Sequence, residues 1–64
     1  MDWVNFGVKI KTARLEKGLT QDDLGKIIGV TPESISYYET GKKKPAFDKI
    51  KNLARVLSLD INTL

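Results

Sequence analysis

The 64-residue chain contains neither histidine nor cysteine. That removes the imidazole and thiolate groups on which most zinc sites and many nucleophilic and acid–base sites are built. Paired carboxylates offer another route to catalysis, but Asp22 and Asp23 are chain neighbours rather than groups opposed across a cleft. No glycine-rich phosphate loop is present. These residues point away from an enzyme and from any bound metal or cofactor. What the chain does offer is a run of ammonium groups, Lys42-Lys43-Lys44. Adjacent lysines displace counterions from a nucleic-acid backbone and so supply affinity for a polyanion without reading its sequence. Taken alone, the same run is equally a solvated turn.

The distribution of charge sharpens the point. Eleven basic residues against eight acidic ones give a net charge of +3. Residues 1–20 carry +2, from four basic and two acidic groups; residues 21–41 carry −3, from Lys26 against Asp22, Asp23, Glu33 and Glu39. Residues 42–64 carry +4, from six basic and two acidic groups. The positive charge is therefore concentrated in one loop and the segment after it.

Helices must position these groups, because no stretch alternates as a half-buried strand would. A first helix is expected from about Trp3 to Lys17, with Asp2 as N-cap and Phe6, Ile10 and Ala13 on one face. Gly7 inside it either delays the helix start or serves a close packing contact. A second helix is expected over Gln21–Ile28, with Thr20 as N-cap, Asp23 completing a capping box, and Leu19 and Leu24 placed as a hydrophobic staple. Leu24, Ile27 and Ile28 are expected to face inward. Gly29 ends it, and the same grammar restarts at once: Thr31 as N-cap, Pro32 at the first helical position, Val30 and Ile35 as staple. This third helix closes near Thr40-Gly41. A connection as short as Gly29-Val30 forces the two helices to cross steeply. A fourth helix is expected from about Phe47 to Leu57, burying Phe47, Ile50, Leu53, Ala54 and Leu57. Ser58 stands where glycine would normally end it, and Asp60 can cap a last turn over Ile61–Leu64.

The set Gly18-Leu19-Thr20-Gln21-x-x-Leu24-Gly25-x-x-Ile28-Gly29-Val30-Thr31-x-x-x-Ile35-Ser36-x-Tyr38-Glu39-x-Gly41-x-x-x-Pro45 resembles the Cro/phage-repressor-like (XRE family) helix-turn-helix domains. With Arg14 upstream and Phe47, Ile50, Leu53, Ala54, Leu57 and Leu64 downstream, the likeness covers nearly the whole chain. It implies an all-α, lambda-repressor-like bundle of five short helices spanning residues 1–64. Helices 2 and 3 would form the helix-turn-helix, and the third would enter the major groove of a two-fold operator bound by a homodimer. Position by position, it implies that Pro32, Glu33, Ser34, Ser36 and Tyr37 meet base edges. It places Gln21, Thr40, Lys42, Lys43 and Lys44 on backbone phosphates, and makes Arg14 and Glu39 a structural ion pair between helices 1 and 3. Gln21 would also brace the recognition helix.

The residues themselves speak to part of this. Ile35 and Tyr38 mark the core face of the third helix, which turns Pro32, Glu33, Ser36 and Tyr37 outward. The helix starts at Gln21 and Thr31 carry free N–H groups suited to a phosphate oxygen. The recognition face departs from the Gln, Arg, Lys or Asn that family members often show. Pro32 can offer only apolar contact, and Glu33 can accept from a cytosine amino group while repelling phosphates. Gly25 replaces the usual alanine. Bland alternatives stand beside these roles: Glu33 can simply stabilise its helix N-terminus, Tyr37 can simply cover helix surface, and Ser34 and Ser36 can be ordinary surface residues. Trp3 fits either a packing role at the end of helix 1 or a dimer contact.

The expected function is sequence-specific binding of double-stranded DNA by a transcriptional regulator, most simply a repressor. The other reading is a protein-binding adaptor or antirepressor on the same fold, which the acidic middle segment favours. The N-terminus does not read as a signal peptide and no apolar run reaches the ~20 residues of a membrane span. A cytoplasmic protein without a small-molecule effector site is expected.

Overall fold

A computed structural model describes residues 1–64. Its elements in order are α1 (Trp3–Glu16), α2 (Gln21–Ile28), α3 (Pro32–Thr40) and α4 (Phe47–Val56), followed by a single 3-10 turn over Ile61–Thr63. There are thus four α-helices, not the five that the resemblance implies. The last element closes its ring one residue early, Thr63 N–H donating to the Asp60 carbonyl at 3.0 Å. A bond spanning three residues rather than four makes a 3-10 turn. No helix is long and apolar enough to cross a membrane.

The first three helices begin where a side-chain cap directs. The Asp2 carboxylate accepts from Val4 N and Asn5 N and so starts α1. At α2 the capping box is reciprocal: the Thr20 hydroxyl accepts from Asp23 N and the Asp23 carboxylate accepts from Thr20 N, each at 2.9 Å. The backbone N–H of Thr20, then its hydroxyl, hold the Asp23 carboxyl below its ordinary 3.8 against an opposing effect of desolvation, with a lesser contribution from the Lys26 charge. The Thr31 hydroxyl accepts from Ser34 N at the start of α3. The N-cap of α4 is Ala46, which makes no side-chain cap; that helix is held by its packing.

The core gathers Phe6, Ile10 and Ala13 from α1, Leu24 and Ile28 from α2, Ile35 and Tyr38 from α3, and Ile50, Leu53 and Leu57 from α4 and its end. Trp3 packs its ring edge-on against Phe6 at 5.3 Å, closing the α1 end of the core. Two expected core residues lie outside it. Ile27 is 54% exposed, because the inward arc of α2 runs through Leu24, Gly25 and Ile28. At about 100° per residue, Ile27 falls beyond the edge of that arc. Phe47 is 68% exposed. Helical side chains lean toward the N-terminus, so a first-turn residue overhangs the end of the layer it was meant to join. Pro45, two residues earlier, is the fully buried side chain there.

Gly7 answers to a close approach, not a late helix start. A β-carbon at this position would collide with the Glu39 carbonyl oxygen and lie 2.5 Å from that of Tyr38. The backbone of α1 rests directly on the last turn of α3. Gly25 plays the same part within the helix-turn-helix, where a β-carbon would stand 2.6 Å from the Val30 carbonyl oxygen. At the end of α4, Ser58 adopts φ 57°, a left-handed conformation that costs a side-chain-bearing residue about 1–2 kcal/mol.

Two substitutions should therefore move stability in opposite directions in urea unfolding. Gly7→Ala should destabilise by about 1–3 kcal/mol, although alanine is the better helix former, because backbone cannot yield cheaply. Ser58→Gly should stabilise by up to about 1 kcal/mol.

Candidate nucleic-acid interface

The position of α3 is set by a buried polar cluster at its C-terminal end. Arg14 of α1 donates from Nε to Glu39 Oε2 at 2.6 Å and from Nη2 to Glu39 Oε1 at 3.2 Å. Its third nitrogen, Nη1, donates to the Leu19 carbonyl at 2.7 Å. Gln21 Nε2, at the first residue of α2, donates to the same Glu39 Oε1 at 3.1 Å. Arg14 and Glu39 are each 6% exposed, and no buried side-chain polar atom in the chain lacks a partner. A fork-to-fork guanidinium–carboxylate pair fixes both distance and rotation, so α1, the α2 start and α3 are locked in one register. The side-chain amide of Gln21 is thus committed to bracing α3.

Between α2 and α3 the chain turns through Gly29 at φ 79°, and the N–H groups of Gly29 and Val30 both donate to the Gly25 carbonyl, at 2.8 and 2.9 Å. Lys49 of α4 reaches under this turn and donates from Nζ to the Ile28 carbonyl at 3.2 Å. Its ammonium meets the negative end of the α2 dipole. Nothing in the apolar periodicity of α4 marks Lys49 for that role. Only its proximity to a helix C-terminus in space does.

With one side of α3 held by Ile35, Tyr38 and Glu39, all buried, the other side is presented to solvent. Thr31, Pro32, Glu33, Tyr37 and Thr40 are exposed, and Ser34 and Ser36 are half-buried at its edge. Tyr37 is 44% exposed. Several hydroxyls are already engaged: Thr31 Oγ1 donates to Ser34 Oγ at 3.1 Å, and Thr40 Oγ1 turns back onto the Ser36 carbonyl at 2.9 Å. Tyr38 lies on the core side, where burial, and secondarily the Asp48 carboxylate, push its phenol above the ordinary 10.0.

The lysine loop folds against the same helix. The backbone N–H groups of Lys42 and Lys43 donate to the Tyr37 carbonyl at 2.9 and 3.3 Å, and all three lysine side chains are exposed. The Lys44 ammonium stands 5.6 Å from the centre of the Trp3 ring. Trp3 therefore has a packing role at the N-terminal end of α1 and borders the basic loop. The structure brings Thr31, Pro32, Glu33, Ser34, Ser36, Tyr37, Thr40 and Lys42–Lys44 to one side of α3 and its following loop, and sets Gln21 behind it as a brace.

A family model described as helix-turn-helix matches residues 10–64. The chain belongs to the Cro/C1-type helix-turn-helix family. It is 31% identical over all 64 residues to the ImmF control region 10 kDa protein of Bacillus phage phi105, covering 71% of that protein. Among solved structures, it is similar to the restriction-modification controller protein C.AhdI of Aeromonas hydrophila. That match has a TM-score of 0.86 and 28% identity over 95% of this chain and 92% of the other. It is also similar to the P22 c2 repressor, solved in complex with a synthetic operator, with a TM-score of 0.85 and 26% identity over 89% and 86% of the two chains. The chain spans 42% of the length of two rhizobial helix-turn-helix transcriptional regulators that it matches.

The buried cluster predicts an asymmetry between single and paired substitutions. Arg14→Met alone leaves the Glu39 carboxylate buried without its cation and should cost about 3–5 kcal/mol. Adding Glu39→Met should recover much of that loss, because two apolar side chains replace two desolvated charges. Urea titrations followed by circular dichroism would read the difference; equal losses in the single and double variants would contradict it.

Proposed function

We propose that this domain binds double-stranded DNA sequence-specifically as a transcriptional regulator, acting as a repressor with α3 in the major groove of a two-fold operator. The observation that carries the reading is the strip formed by the outward side of α3 and the lysine loop bonded to its last turn. The division of labour follows from chemistry. Lys42, Lys43 and Lys44, with the helix starts at Gln21 and Thr31 and the exposed end at Thr40, meet phosphates and set register. Pro32, Glu33, Ser34, Ser36 and Tyr37 meet base edges. The P22 c2 repressor, solved on operator DNA, supplies a precedent of matching fold.

Size argues for two copies on DNA. The nine residues of α3 extend only about 13 Å. The longest principal extent of the molecule is 25 Å, shorter than the roughly 34 Å of one duplex turn. One copy therefore reads one half-site, and a homodimer on the operator supplies the remaining specificity.

The acidic segment that favours the adaptor reading is partly engaged within the fold. Of the four acidic groups in residues 21–41, Glu39 is buried against Arg14, Asp22 pairs with Lys26 at 3.1 Å, and Asp23 is held in its capping box. Asp23 and Glu33 have no ion-pair partner, and they lie on different helices.

Salt titrations of the full chain against two-fold and random duplexes test the proposal. Lys43→Ala or Lys44→Ala should weaken binding to all sequences alike and lower the salt slope by about 1. Ser36→Ala and Tyr37→Ala should instead change which sequences are preferred. Uniform losses in both classes would overturn the base-reading assignment. Absence of duplex binding even at low salt would overturn the DNA reading itself.

A further inference from the structure

We infer that Glu33 is a specificity-determining residue, selecting a cytosine at one symmetry-related position of each half-site and holding back binding to DNA that lacks it. The inference rests on the DNA reading above and gives it a chemical class of sequence. Its starting point is what the outward side of α3 contains once internal bonds are counted. The Thr31 hydroxyl donates to Ser34 Oγ and accepts from Ser34 N, the Thr40 hydroxyl is turned onto its own helix, and Pro32 has no polar side-chain atom. The groups left with free donors or acceptors are the Ser34, Ser36 and Tyr37 hydroxyls and the Glu33 carboxylate. A hydroxyl can donate or accept, so it distinguishes base edges poorly. A carboxylate only accepts.

That single fixed sense is informative in the major groove. Guanine presents N7 and O6, and thymine presents O4, all acceptors that repel a carboxylate. Cytosine presents its N4 amino group as a donor. Adenine also offers a donor, but beside the N7 acceptor, so a carboxylate that meets it faces a lone pair as well. The order of preference is cytosine, then adenine, with guanine and thymine rejected. The side of α3 that faces the bases carries no cation or amide. It therefore cannot make the bidentate arginine–guanine or glutamine–adenine contacts that would outvote Glu33.

Glu33 also acts on sequences that do not match. It sits at the second residue of α3, exposed and without any ion-pair partner. In a groove it lies between two phosphate chains, and unless a base donor meets it the carboxylate is repelled and stripped of water. The lysine loop attracts every duplex; Glu33 subtracts from that attraction wherever the base is wrong. Affinity is thus carried by Lys42–Lys44, and at the cytosine position selectivity is carried by Glu33.

Selection of bound sites from a random duplex library, run with the full wild-type chain, Glu33→Gln and Glu33→Ala, tests this. Circular dichroism melts would verify that both variants fold, as expected for an exposed site. Wild type should recover a two-fold motif with cytosine at one position per half-site, favoured over guanine by about tenfold or more. Glu33→Gln should move that position to adenine, because a carboxamide can pair with both N6 and N7. Glu33→Ala should flatten it. Both variants should bind unselected duplex more tightly than wild type at the same salt. A motif unchanged in both variants, or no gain in binding to unselected duplex, overturns the role of Glu33 while leaving DNA binding intact. Retention of no duplex by wild type at low salt overturns both.

Discussion

The structure depends first on one desolvated charge pair. The Arg14 guanidinium ties together the end of α1, the Leu19 carbonyl before α2, and Glu39 in the last full turn of α3. Gln21 adds a fourth strut from the first residue of α2. Burying such a pair gains little net stability over apolar residues. Its value lies in direction, since a planar fork holding a carboxylate fixes rotation as well as distance. Apolar contacts alone would keep α3 against the core while letting it slide or roll by part of a turn. A roll of that size would exchange Tyr37 for Tyr38 at the surface.

Close backbone packing reinforces this lock. Because Gly7 lacks a side chain, α1 settles onto the carbonyls of Tyr38 and Glu39, which brings Arg14, two turns further along, within reach of Glu39. The glycine and the ion pair work as one device: contact at one end of the α1–α3 interface, a directional bond at the other. In a chain of this size, with a core of ten buried residues, few other means exist to hold a nine-residue helix at a defined angle.

Charge looks different in three dimensions than along the chain. The segment 21–41 is the most acidic in sequence, yet Glu39 is buried against Arg14, Asp22 is paired with Lys26 and Asp23 is hydrogen-bonded in the Thr20 cap. The basic C-terminal segment is reduced as well, because Lys49 is drawn beneath the helix-turn-helix to the Ile28 carbonyl. What remains at the surface around α3 is a lysine cluster at one end and one free carboxylate at the other. Counting charges by segment overstated the acidity of the helix-turn-helix and missed this separation.

Local grammar determined most of the helix boundaries. Asp2, Thr20 and Thr31 accept from backbone N–H groups two or three residues ahead, while Gly29 and Gly41 end their helices, interactions that span a few residues and can be read in order along the chain. Periodicity also placed Ile35 and Tyr38 inward and Tyr37 outward. It failed at Ile27 and Phe47, because a repeat of 3.6 residues gives the direction of a stripe but neither its width nor where the neighbouring layer ends. The same limit hid Lys49, and left the 3-10 geometry of residues 61–63 undecided between one turn and another. Which groups are spent inside the fold and which face outward depends on distances between segments twenty or more residues apart. Those distances exist only once α1, α2 and α3 have packed.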